Sequence, residues 1–184
     1  MTAPSITPWQ VLERRLLVDS THVKVWEDRV RLGNGREIDD FCVIESPDWA
    51  AVLCITVEGQ VALVRQYRHG LGGESWELPA GTLEASEEPL SAAKRELLEE
   101  TGYASEDWRP LLLASVDPSR QTARAHFYTA VNARRVAAPR LDASEELLTV
   151  LVSKAEVMSL IESGRLMHGL HIAAISMAAR RGLL

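Results

Sequence analysis

The 184-residue chain is poor in cysteine. Cys42 and Cys54 sit in the apolar stretches FCVIE and VLCIT and cannot build a disulfide framework; both read as small buried hydrophobes. No run of about 18 apolar residues exists, so no helix is expected to cross a membrane. The first ten residues, MTAPSITPWQ, lack a basic start followed by an apolar core. No secretory signal is expected there, and a reducing, cytoplasmic setting is the default. Positive charge is scarce too, with 20 Lys and Arg against 26 Asp and Glu and a net charge of −6. A general nucleic-acid binder needs a basic face to displace counterions, so neither nucleic acid nor membrane is an expected partner. A small anionic substrate is still permitted, because a local cluster of Arg and metal overrules the average field. Repeats, low-complexity tracts and long linkers are absent.

What is present suits one soluble globule: 46% hydrophobic and 25% charged residues, in a chain long enough to bury a core. Strands are expected at Val11 to Asp19, Val23 to Leu32 and Arg36 to Glu45. Gly33-Asn34-Gly35 turns the latter two into a hairpin, since Asn and Gly accept positive φ. A second hairpin around Glu58-Gly59 joins Ala50–Val57 to Gln60–Arg65. The run AAVLCITV should be a central strand buried on both faces. Leu90, Ala93, Leu97 and Thr101 then recur at helical spacing, between Pro89 at the start and Gly102 just past the end. Strands resume at Pro110–Val116, Arg124–Val131 and Leu147–Val152, followed by helices at Lys154–Ser163 and Met167–Arg181. The order predicts an α/β (α+β) fold, a mixed sheet with helices packed on it.

The chemistry is concentrated between Gly81 and Tyr103. Glu96, Glu99 and Glu100 stand at i, i+3 and i+4 and share one sector of the helix. Like charges at this spacing repel by a few tenths of a kcal/mol per pair. Either the sector is a solvated acidic face paired with Lys94 and Arg95, or a divalent cation offsets the repulsion. An all-oxygen donor set selects a hard ion, Mg²⁺ or Mn²⁺, over Zn²⁺, and no Cys or His cluster competes.

The surroundings decide between the two. Gly81, Glu87, Arg95, Glu96, Leu97, Glu99, Glu100, Gly102 and Tyr103 follow the pattern G-x5-E-x7-R-E-U-x-E-E-x-G-U, with U a bulky apolar residue. The segment resembles the signature of the Nudix hydrolases. VRQYRHG and ESWELPAG on its N-terminal side, and Pro118 15 residues beyond Tyr103, are similar to the ADP-ribose pyrophosphatase branch. The resemblance implies a Nudix fold: a mixed sheet sandwiched between helices (46–184), with an N-terminal antiparallel sheet (1–45) before it. It also implies a homodimer in which each subunit's N-terminal strands help to build the other's pocket. The implied reaction is Mg²⁺-dependent hydrolysis of the diphosphate bond in a nucleoside diphosphate sugar. Its metal would be held by Glu96, Glu99, Glu100 and the Ala80 carbonyl, which close turning at Gly81 brings near. Arg95 would hold the helix face by pairing with a carboxylate, Glu87 would support the loop, and Glu84 in the loop is read as a solvated acid before a metal or supporting group.

Around this core, Arg65 and Arg68 are candidates to grip phosphate or stack on a base. Glu77 is a candidate for sugar hydroxyls or for buried support, and Trp49 for stacking on a base or for core packing. The loop Asp117–Arg124 carries Arg120, Gln121 and Arg124 where the ADP-ribose branch often has acidic residues. It is closer to relatives acting on other sugar nucleotides such as GDP-mannose, with Arg120 on the second phosphate or distal sugar. Glu146 fits the general base by register, with Glu99 or Glu100 as rivals. Structural roles are expected for His126, His168 and His171. The competing functional readings are a Nudix enzyme for dinucleoside polyphosphates or NTPs, and a non-catalytic sugar-nucleotide sensor.

Overall fold

The apolar run at 50–55 becomes the middle of the larger sheet in the computed structural model, which describes residues 5–142 and 145–184. By its internal contacts the chain divides into two units, one comprising the chain up to Pro47 with Ser115–Ala123, the other Asp48–Ala114 with Arg124–Leu184.

The first unit is an antiparallel sheet of β1 (Gln10–Asp19), β2 (Lys24–Arg31) and β3 (Glu37–Glu45) in that order. Its β2–β3 turn differs in one detail from expectation. Only Gly35 takes positive φ, at +86°, while Leu32 and Arg36 close a three-residue loop. Asn34 instead accepts the Arg36 N–H through its side chain, and Gly33 is needed for space, since a Cβ there would lie 2.7 Å from the Thr7 Cβ. Asp28 is buried beneath a two-pronged bond from Arg14. β1 leaves Val11, Leu16, Leu17 and Val18 exposed.

The second unit contains β4 (Trp49–Thr56), β5 (Val61–Arg68), β6 (Gly73–Glu77), β7 (Ala80–Thr82), α1 (Pro89–Thr101), β8 (Tyr103–Ala104), β9 (Asp107–Ser115), β10 (Arg124–Arg135), β11 (Leu147–Val152), α2 (Lys154–Glu162) and α3 (Gly169–Arg180). The sheet runs β11-β5-β4-β10-β8, with β6 beside β5, β7 beside β4 and β9 beside β10. It is mixed, because β4 is antiparallel to β5 and parallel to β10. Strand alternation explains why β4 is apolar throughout. Ala50, Val52 and Cys54 face Ala92, Ala93 and Leu97 of α1, whereas Ala51, Leu53 and Ile55 face Val157, Leu160, Ala174 and Ile175 of α2 and α3. The sheet is thus sandwiched between helices. The short β6, β7 and β8 were not expected from the sequence.

His171 of α3 lies in this core, 1% exposed, with Nδ1 accepting the Leu78 N–H at 3.2 Å. Burial, then the neighbouring His168, pushes its pKa down from 6.5 to about 3. An unfolded chain binds this proton below about pH 6.5 and the folded chain does not, so stability falls as pH drops through the window between the two values. At pH 5 the expected cost is about 2 kcal/mol relative to neutral pH. In urea titrations at pH 7.5 and 5.0, His171→Asn, which keeps an acceptor for Leu78, should lose less stability than the wild type by about that amount. Equal losses in both proteins would contradict this assignment.

Candidate active site

The site is built on α1. Pro89 begins the helix without needing an N–H, and Gly102 ends it at φ +74°, its N–H bonded to the Leu98 carbonyl. The apolar face of α1 sinks onto the sheet and draws the flanking carboxylates with it. Glu96 is 7% and Glu100 3% exposed, while Glu99 stays half-exposed. A solvated acidic face is therefore ruled out for two of the three.

Arg95 organises the group. Its guanidinium grips Glu87 with two bonds of 3.0 and 2.9 Å, and one nitrogen bridges Glu96 at 2.7 Å and Glu99 at 3.1 Å. A further bond reaches the Thr82 carbonyl. Glu87 also accepts the Glu84 N–H, tying the loop to the helix, while the Glu84 side chain stays exposed. Gly81 is required for close approach rather than for a turn: a Cβ there would sit 2.0 Å from the Glu96 carboxylate, and its φ is not positive. Ala80 donates its N–H to Glu100 at 2.9 Å.

Among the described residues no cation forms an ion pair with Glu100, although the charge of Arg68 acts on it. Burial first, then the charges of Glu96 and Glu145, push its pKa up to about 9 against the single Ala80 bond. Burial raises Glu96 as well, despite Arg95. Among the described residues, no three His, Cys, Asp or Glu side chains are gathered as a formed metal cage. Glu96 and Glu99 turn toward Arg95 and Glu100 toward Ala80. The fit to a divalent cation rests on chemistry: buried oxygen donors with too little positive charge, which a hard ion supplies.

One cavity opens beside this helix at Glu100, and a second shares part of its wall. The smaller, about 370 Å³, is lined by Gln66, Tyr67, Arg68, Ala80, Glu100, Glu145 and Glu146. The candidate base Glu146 thus reaches the cavity, and so does its neighbour Glu145. Glu145 is the more buried of the two and the one whose charge acts on Glu96 and Glu100. The larger, about 680 Å³, includes Trp49, Glu77, Gly81 and His168 and shares Arg68 and Ala80 with the first.

Arg68 marks the junction. Its Nε and Nη2 bond both oxygens of Glu77, at 2.9 and 2.6 Å. Glu77 is 2% exposed, and although burial pushes its pKa up, Arg68 and Ser75 outweigh this and hold it below the usual value. Both Glu77 oxygens are engaged, so its observed contact is with Arg68. Arg65 is not brought to the cavities. Three residues from Arg68 on a strand, it projects from the opposite face, where it lies over Trp76 and 3.6 Å from Glu74. Trp49 packs edge-on against Phe127, as the core reading expects, and it also walls the larger cavity. Arg120 belongs to the first unit, in a turn where its carbonyl accepts the Ile44 N–H. His126 bonds Asp48 at 3.1 Å and His171 serves the core, as expected. His168 departs from expectation: it lines the cavity, and its isolated position in the sequence carries no signal for that.

The family model of the NUDIX domain matches residues 45–170. The chain is 32% identical over 154 residues to a methanol dehydrogenase activator of Bacillus methanolicus, covering 83% of each. It is 31% identical over 142 residues to an ADP-ribose pyrophosphatase of Bacillus subtilis, covering 77% of this chain and 76% of that one. Among solved structures, an ADP compounds hydrolase superposes with a TM-score of 0.84 at 20% identity, over 99% of this chain and all of that one, which supports the fold.

Proposed function

The chain belongs to the NUDIX family and is a Nudix hydrolase, and we propose that it hydrolyses the diphosphate bond of a nucleoside diphosphate sugar with Mg²⁺ or Mn²⁺. The products are a nucleoside monophosphate and a sugar phosphate. One observation carries this reading: buried Glu100 of α1 lines an acidic cavity that shares Arg68 and Ala80 with a larger, aromatic one. A substrate with a charged middle and a bulky end matches that pair of spaces.

Glu96, Glu99, Glu100 and the Ala80 carbonyl would hold the cation. When bound, the cation supplies charge neutralisation at the diphosphate and a lowered pKa for an attacking water. Arg95 keeps Glu96 and Glu99 in place through its shared nitrogen. Arg68 presents the unused part of its guanidinium to phosphate while Glu77 fixes its plane. Glu146 takes the water's proton, with its half-buried neighbour Glu145 as the competing base; Glu99 and Glu100 are the rivals on the helix. Trp49 meets the bulky end. The N-terminal strands form a homodimer, a reading supported by the exposed Val11, Leu16, Leu17 and Val18 of β1.

The test is turnover of ADP-ribose, GDP-mannose, a dinucleoside polyphosphate and an NTP with Mg²⁺ in ¹⁸O-labelled water, on protein whose mass is measured by light scattering. We expect a dimer that releases a labelled monophosphate from a sugar nucleotide at least about tenfold faster than from the other two classes. Preferred turnover of the NTP or polyphosphate would overturn the substrate class, and a monomer would overturn the dimer.

A further inference from the structure

We propose that the larger cavity of the second unit receives the nucleobase of the substrate, stacked on His168 with its edge against Trp49. This rests on the reading of the chain as a sugar-nucleotide hydrolase and makes His168 a specificity-determining residue.

The geometry begins with two imidazoles. His168 lies on His171 with ring centroids 4.1 Å apart and planes 20° from parallel. His171 is buried in the core, so the stack has a closed end, while half-buried His168 borders the cavity. Trp49 stands across His168 at 72°, centroids 5.5 Å apart. A flat imidazole with an upright indole beside it forms a corner into which a third planar ring fits, face to His168 and edge to Trp49. Burial lowers the pKa of both histidines, so the stack is neutral at pH 7 and accepts an uncharged heterocycle.

The polar groups favour a base over a sugar. A sugar subsite needs free hydrogen-bonding groups for several hydroxyls. Both Glu77 oxygens bond Arg68, and Ser75 beside them is only 3% exposed. Of the remaining wall, His69 and Thr82 bring polar side chains, against Leu71, Met167 and the backbone of Gly70 and Gly81. His168 Nδ1 is buried without a hydrogen-bond partner. An unpaired buried polar atom costs about 1–3 kcal/mol and gives the fold nothing, which marks the ring as placed for something other than packing. The two cavities meet at Arg68 and Ala80, so a base in this corner leaves its diphosphate beside Arg68 and the α1 carboxylates.

The experiment uses AMP and ribose 5-phosphate as probes, binding to the full-length protein followed by calorimetry and by the ring resonances of His168. AMP should shift those resonances upfield and ribose 5-phosphate should not. His168→Ala should weaken AMP by about tenfold, the value of one stacked base, and leave ribose 5-phosphate within about twofold. His168→Phe, which restores a stacking face, should stay within about threefold of wild type for AMP. Loss of ribose 5-phosphate affinity in His168→Ala would assign the cavity to the sugar, and unchanged AMP affinity would remove the base from it. Either result leaves the hydrolase reading intact. A chain that binds AMP through His168 but turns over no sugar nucleotide would sink the sugar-nucleotide reading instead.

Discussion

Glu100→Gln lowers kcat by about 10³-fold, roughly 4 kcal/mol of transition-state stabilisation, without unfolding the protein. The exchange removes a titratable oxygen donor for the cation and almost no volume. The amide oxygen still accepts the Ala80 N–H, so the helix and β7 stay joined. Glu100 is 3% exposed, and burial holds it protonated at neutral pH in the absence of a cation, so a neutral amide replaces a neutral acid there at little cost. The melting temperature should therefore be unchanged or slightly raised while activity collapses. Glu99 is half-exposed and shares Arg95 with Glu96, so Glu99→Gln should also lose activity by orders of magnitude with the fold intact. Steady-state kinetics beside thermal unfolding checks both. Near-normal turnover by either variant would remove that residue from the catalytic set.

Arg68→Ala has the second-largest expected effect, because it acts on stability and on catalysis at once. It leaves the Glu77 carboxylate, 2% exposed, without the two bonds that satisfy it. Breaking a buried pair costs about 3–5 kcal/mol, and the half-exposed Arg68 end lowers the expectation to about 2–3 kcal/mol. The same change should lower kcat/KM at least about tenfold by removing a phosphate contact. The double exchange Arg68→Met with Glu77→Leu separates the two effects. It should regain stability to within about 1 kcal/mol of wild type, since apolar replacements of a buried pair are often neutral, yet keep the kinetic loss. Full recovery of kcat/KM in the double variant would reduce the pair to a structural one.

Legibility from the sequence follows how local each interaction is. The span of α1, its proline and glycine ends, and the shared sector of Glu96, Glu99 and Glu100 rest on neighbours within four residues, and all three are present. The central β4 is equally plain, because a strand buried on both faces has no polar position to confuse it. β6 and β7 span five and three residues, too short for a period to appear, and with them the pairing of Arg68 to Glu77 was hidden. The division between Arg65 and Arg68 needed only strand parity. Gly81 was recognised as special, but its reason, the Glu96 carboxylate pressed against it, is a tertiary contact. His168 and His171 were read alike as structural. What separates them is where α3 lands on the sheet, a matter of packing between elements far apart in sequence.

Manganese binding read by electron paramagnetic resonance tests the central claim most directly, because it reports on the α1 carboxylates without requiring turnover. With AMP present, the wild type should take up Mn²⁺, and Glu96→Gln, Glu99→Gln and Glu100→Gln should each weaken that uptake by about tenfold or more. Uptake unchanged in all three would show that the buried edge of α1 is not where the cation is held.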